Sequence, residues 1–137
     1  LGATVERANS MSSGVWELSL NHEGLSDDLF DSRGSGKGGA PVALYSHQDH
    51  VTTVPDSCLL LGSAEHNRVT AVRVMSGDGR ALPAWGVQFH PEAAKARVER
   101  AFDWGHISEE ELGSFQREHD GVGVLNSFAS VVLANID

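Results

Sequence analysis

The chain has a single cysteine, Cys58, among 137 residues, so no disulfide can form within it. A lone thiol also fits, weakly, a reducing cytoplasm. No apolar run approaches the roughly 18 residues that a membrane-crossing helix needs. Basic residues are scarce: 10 Lys and Arg stand against 19 Asp and Glu, for a net charge of −9. That balance argues against nucleic acid or an anionic membrane as the main partner, and chiefly reports solubility. The opening stretch "LGATVERANS" lacks an initiator Met and the basic-then-apolar layout of a signal peptide. It reads as the interior of a helix-to-strand passage, so the expectation is a piece of a longer domain. What is present suits one domain, because 40% of the residues are apolar and can build a core.

Hydrophobic periodicity divides the chain. "VWELSL" (15–20) alternates apolar and polar residues and predicts a half-buried strand. Residues 21–39 lose the pattern and fill with Gly, Ser and Asp, which predicts a loop with a short turn at Asp28–Phe30. Strands are expected at 40–46, 57–64, 69–74 and 84–89. The last two flank "MSGDGRALP", where Gly77-Asp78-Gly79 can supply positive φ for a hairpin. From Glu92 the composition changes to helix formers, "EAAKARVERAFDW". Ser108 and Glu111 have capping-box spacing, and Ile107 with Leu112 has that of a hydrophobic staple. Val124, Leu125, Phe128, Val131 and Val132 share one face of a final helix. Strands followed by helices give α/β or α+β.

The chemistry-bearing stretch is "WGVQFHPE" (85–92). Side chains at i and i+2 of a strand share a face, so His90 and Glu92 project together if the strand persists to its end. Pro91 offers no N–H to a ladder and places that end at an edge or rim. A carboxylate beside an imidazole fixes its tautomer, orients the ring and stabilises imidazolium, leaving the far nitrogen as a general base. Taken as two residues alone, the pair is read more simply as a surface contact at a strand end.

Other groups compete for a function. His47, Asp49 and His50 in "YSHQDHV" are metal-ligand types, and His90 with Glu92 could complete a site. Zinc hydrolases of the metallo-β-lactamase type carry a further His two places before the first, where this chain has Tyr45. No bound metal is therefore expected, and the simpler reading is a polar turn after a buried strand. "GSGKGG" (34–39) is not a phosphate loop, because Gly38 follows Lys37 where Ser or Thr is required. Cys58, among Leu59, Leu60 and Leu61, is expected to be a buried, inert thiol. Trp16, Trp85 and Trp104 are expected in the core or at an interface.

Taken together, "SHQDHVTTVP" (46–55), "LLLGSAE" (59–65), "GVQFHPE" (86–92) and "GVGVLNSF" (121–128) resemble the class I glutamine amidotransferase domain, particularly members related to the GMP synthase glutaminase. The resemblance implies a flavodoxin-like, three-layer α/β fold, of which residues 1–137 would be the C-terminal part, with an insertion at 93–120. "LGATVERA" (1–8) is similar to the stretch that follows the family's nucleophile helix. The implied activity is hydrolysis of the glutamine side-chain amide to ammonia and glutamate, with no cofactor. His90 matches the catalytic base and Glu92 its orienting carboxylate. Ser46, His47, Gln48 and Asp49 match the loop that holds the ends of the glutamine substrate. Gln88 and Phe89 match supporting wall positions.

One element of the family pattern has no match. The nucleophile lies on a Gly-Cys-x-Gly turn, which nothing in this chain resembles, and its oxyanion donors are missing with it. The resemblance thus implies a catalytic pair completed by an N-terminal segment of the same domain, in a cytoplasmic enzyme whose ammonia passes to a synthetase domain or subunit. The alternatives are a non-catalytic binding module and a metal-dependent hydrolase.

Overall fold

The computed structural model describes residues 1–31 and 40–136, so the "GSGKGG" stretch lies outside the described residues. The described strands form two antiparallel groups. A long pair joins β1 (Val5–Glu17) to β3 (Val42–Val51), and a four-stranded sheet runs in the order β2 (Ser19–Leu20), β4 (Cys58–Ala64), β5 (Asn67–Met75), β6 (Ala81–Val87). Helix α1 (His22–Leu25) and a 3-10 turn (Asp28–Phe30) follow β2, while α2 (Lys95–Asp103), α3 (Glu109–Ser114) and α4 (Gly121–Ala134) close the chain.

Strand existence follows the hydrophobic pattern, but two boundaries do not. β1 begins ten residues earlier than the alternation at 15–20 implied, at Val5 instead of Val15. β3 runs on through Ser46–Val51, where a polar loop was expected. These two extensions pair with each other, Val5 opposite Val51 and Arg7 opposite Asp49. Their side chains are largely exposed, so backbone hydrogen bonds define the strands and no buried face marks them in the sequence. The register shifts between Arg7 and Ser12, opposite Gln48.

The β5–β6 hairpin forms where predicted. Gly79 takes φ +82° and donates its N–H to the Ser76 carbonyl, whereas neither Gly77 nor Asp78 needs positive φ. The main core gathers Leu18, Phe30, Tyr45, Leu61, Ala71, Phe89 and Val124, with Trp16 and Trp85 packed against it. A second cluster of Leu44, Val98 and Phe115 fastens α2 and α3 to the β1–β3 pair, and the Ile107–Leu112 staple packs there. The capping box is complete in both directions: Ser108 Oγ accepts from Glu111 N–H, and Glu111 Oε2 accepts from Ser108 N–H.

Three expectations need correction. The helix after Glu92 starts at Lys95, because residues 91–94 are used by a turn. On α4 the buried stripe is Gly121, Val124 and Ser127, while Leu125, Phe128 and Val132 are over 40% exposed. Trp104 is 66% exposed at the end of α2, with Arg100 over its ring, and is not a core residue. Among the described residues, no helix is long and apolar enough to cross a membrane.

Candidate active site

His90 stands where the chain passes from one strand group to the other. Gln88 N–H donates to the Thr70 carbonyl on β5, and two residues later His90 N–H donates to the Leu44 carbonyl on β3. Phe89 between them is buried, edge-on to Tyr45 at 6.0 Å, and anchors the passage to the core. The strand itself has ended at Val87, so the strand-face rule does not bring His90 and Glu92 together. A turn does so: Ala93 N–H returns to the His90 carbonyl and Ala94 N–H to the Glu92 carbonyl. The result is a 2.9 Å hydrogen bond from His90 Nδ1 to Glu92 Oε1. An ionised carboxylate only accepts, so Nδ1 carries the proton and a neutral ring keeps its lone pair on Nε2. Nε2 lies 3.4 Å from the Ser46 carbonyl, which can accept a hydrogen bond from it once the ring is charged.

Burial alone would push the Glu92 carboxyl up. The hydrogen bond and charge of His90, its own backbone N–H and Arg97 outweigh that effect and hold it below the usual carboxylate value. Glu92 therefore remains ionised beside His90 through neutral pH, as an orienting group must.

The 46–49 segment is a strand, and its side chains part company. Gln48 fills the β1 irregularity, accepting from Arg7 at 2.7 Å and donating to the Ala8 carbonyl at 2.9 Å. Asp49 is exposed, 3.9 Å from Arg7. His47 turns the other way. Its Nδ1 lies 3.1 Å from the Asp49 carbonyl and its Nε2 lies 3.2 Å from Nε2 of His66. Thus His90, Glu92 and the Ser46 carbonyl are joined directly, His47 lies within electrostatic reach of His90, and Gln48 and Asp49 are tied to β1. His66 was invisible to sequence reasoning: a single histidine in "SAEHNRV" has no motif to mark it.

Burial lowers the pKa of His47 and of His66 below the usual 6.5; neighbouring imidazoles add to this, and the Asp49 carbonyl and the Glu65 charge oppose it respectively. The unfolded chain binds more protons than the native protein just below pH 6.5, so stability rises with pH there. Their contribution is complete above about pH 6.5 and is lost as pH falls from there through the lowered native values. The urea midpoint should fall over that window, and replacing both histidines with phenylalanine should flatten the fall. An equally steep fall in the double variant would exclude these two groups as its cause.

A support that the sequence left unread holds the His90 turn from behind. His119 Nε2 donates to the Ala93 carbonyl at 2.8 Å, and its Nδ1 accepts from Gly121 N–H at 3.1 Å. Asp120 clamps α4 to β3 in both directions, accepting from Val42 N–H and donating its own N–H to the Val42 carbonyl. Gly121 has no room for a side chain: a Cβ there would lie 2.3 Å from the Pro91 carbonyl oxygen. Gly121→Ala should therefore displace the turn that carries His90 and Glu92. The expected cost is about 1–3 kcal/mol in urea unfolding, the usual range for overpacking; an unchanged midpoint would show that the turn can yield freely.

Cys58 is half-buried, not buried as expected. It opens β4 opposite Val74 and lines an apolar cleft of about 230 Å³ with Val69, Ala71 and Val87. Placement at the strand's first residue, next to that cleft, leaves its sulfur partly uncovered. Among the described residues, no group of three or more His, Cys, Asp or Glu side chains is placed to hold a metal ion. His47 and His66 bond to each other instead.

Known proteins share this arrangement of sequence and fold. No protein-family model matches the chain. Over 94 residues, 69% of the chain, it is 42% identical to GMP synthase [glutamine-hydrolyzing] of Thermus thermophilus. Over 73 residues, 53% of the chain, it is 37% identical to a separate subunit of GMP synthase [glutamine-hydrolyzing] from Methanopyrus kandleri. The match covers 16% of the first relative and 32% of the second, so the chain spans less than a third of either. A solved glutamine amidotransferase of Thermotoga maritima superimposes on 96% of this chain with a TM-score of 0.65, at 18% identity. The fold is that of the class I glutamine amidotransferases. The chain spans 55% of that amidotransferase's length, so it represents about half of such a structure. The three-layer α/β expectation is met at this level, and the resemblance read from the Gln-Phe-His-Pro-Glu stretch agrees with the relatives found.

Proposed function

We propose that residues 1–137 are the C-terminal part of one glutamine amidotransferase domain, with an insertion at 93–120, and that the whole domain hydrolyses glutamine to ammonia and glutamate. The observation that carries this reading is the 2.9 Å His90–Glu92 hydrogen bond, with Nε2 left as the basic nitrogen, in a chain of this fold. A cysteine from outside the chain gives its proton to His90 Nε2, and the thiolate attacks the carboxamide carbon. The imidazolium then returns that proton to the departing ammonia, leaving a thioester. Next, His90 takes a proton from water, hydroxide adds to the thioester, and the thiolate leaves as glutamate forms. Glu92 stays ionised throughout and keeps the ring's working nitrogen aimed.

In this reading Ser46, His47, Gln48 and Asp49 hold the glutamine. Gln48, with its amide engaged in β1, contributes backbone, whereas the exposed Asp49 carboxylate is free to meet an α-ammonium group. The enzyme is cytoplasmic, uses neither cofactor nor metal, and binds neither nucleic acid nor membrane. Its ammonia goes to a synthetase, either another domain or a separate chain. The Methanopyrus relative, which is itself named as one subunit of a synthase, supports that reading. An ammonia-release assay tests the whole. The longer protein containing this chain should hydrolyse glutamine, while the 137-residue chain alone should not. Turnover by the isolated chain at the longer protein's rate would put the nucleophile inside it and sink the account. A longer protein that binds glutamine without turnover would be a binding module.

A further inference from the structure

We propose that His66 is a positioning residue for the glutamine-holding segment, acting through His47. The inference rests on the amidotransferase reading above. His66 occupies the two-residue turn between Ala64 of β4 and Asn67 of β5. Its ring is held from two other strands, 4.4 Å from the Trp16 ring and edge-on to Tyr45 at 4.6 Å. Tyr45 is fully buried, and burial pushes its phenol up to about 12, so it stays neutral and does not compete for the imidazole protons. The clamp leaves His66 Nε2 aimed at His47 Nε2, 3.2 Å away.

Proton placement follows from the partners. A carbonyl oxygen only accepts, so the 3.1 Å contact of His47 Nδ1 with the Asp49 carbonyl requires a proton on Nδ1. Neutral His47 then has only a lone pair on Nε2, and His66 must supply the proton between the two rings. That leaves the lone pair of His66 on Nδ1, the ring atom that is buried without a hydrogen-bond partner. An unpaired acceptor there is less costly than an unpaired N–H would be. The bonds therefore run in one direction, from His66 to His47 to the Asp49 carbonyl, and stiffen the strand on either side of Gln48. Gln48 is pinned separately by Arg7 and the Ala8 carbonyl. A segment held at both residues is set before the substrate arrives, which lowers the ordering cost of binding.

The experiment uses the full-length protein that contains this chain, labelled with nitrogen-15. Long-range proton–nitrogen correlations of the imidazoles should show His47 as the Nδ1–H tautomer and His66 as the Nε2–H tautomer. His66→Phe keeps a ring in the clamp but removes the donor, and His66→Gln restores an N–H. In the phenylalanine variant His47 should populate both tautomers. KM for glutamine should rise about tenfold, the weight of one hydrogen bond, with kcat within about twofold. The glutamine variant should recover most of that KM. An unmoved KM, a loss confined to kcat, or the opposite tautomers in the unsubstituted protein would overturn the proposal. If the protein releases no ammonia, or His90→Ala leaves release intact, the amidotransferase reading fails instead. The imidazole correlations then still decide whether His66 sets the His47 tautomer.

Discussion

His90→Ala in the full-length protein should lower ammonia release from glutamine by roughly 10²–10⁴-fold, the range for losing a general acid–base group. The same nitrogen is asked to serve three times: it takes the thiol proton, hands it to ammonia, and activates water. Alanine removes all three services at once, and the ring's hydrogen bond to Glu92 with them. The substitution should leave folding nearly untouched, because the His90 side chain is 42% exposed and its backbone N–H to Leu44 survives. Glu92→Gln should cost less than His90→Ala. The amide can still accept a hydrogen bond from Nδ1–H, but it has no charge to stabilise imidazolium. A loss of the same size in KM, with kcat preserved, would make His90 a binding residue and refute the assigned role.

Much of this site was legible because its residues are adjacent in sequence. His90, Pro91 and Glu92 lie side by side, and any tight turn there brings imidazole to carboxylate. The strand-face argument reached the right contact by the wrong route, since β6 ends at Val87 and a turn does the work. The exposed halves of β1 and β3 were missed for a different reason. Their pairing buries few side chains, so no alternation records it, and Ser46–Asp49 looked like loop. His66, His119 and Asp120 were unreadable in principle: each meets its partner across long sequence separation, as in His47 with His66 or Asp120 with Val42. The apolar stripe of α4 was assigned from helix periodicity, but the buried side is set by where Gly121 fits under the Pro91 carbonyl. One close contact rotates the helix so that Val124 and Ser127 face inward while Leu125 does not.

Arg73→Met should be among the most destabilising single changes in the chain, by about 3–5 kcal/mol, the usual result of removing one partner from a buried ion pair. Arg73 lies on β5 with its side chain 8% exposed, 3.0 Å from an Asp27 carboxylate that is equally buried. Its Nε–H donates to the Leu82 carbonyl, and its guanidinium lies 4.1 Å above the Trp85 ring. Asp27 has its other oxygen occupied by Leu29 N–H at 2.9 Å and by Trp85 Nε1–H at 2.8 Å. The network therefore ties the 3-10 turn to both β5 and β6, with every strong donor matched. Methionine replaces the aliphatic stem of Arg73 and much of its volume, so the expected loss comes from charge, not from a cavity. It leaves the Asp27 carboxylate desolvated without its cation. Against the roughly 5–15 kcal/mol that holds a typical domain folded, such a loss is a large fraction. Asp27→Asn combined with Arg73→Met removes the stranded charge, while an amide oxygen can still accept from Leu29 and Trp85. The double variant should accordingly be more stable than Arg73→Met alone. Urea unfolding of the four proteins at pH 7 gives the coupling directly. If Arg73→Met costs under about 1 kcal/mol, or if the two changes simply add, the pair is no stronger than an exposed one and the account of this junction is wrong.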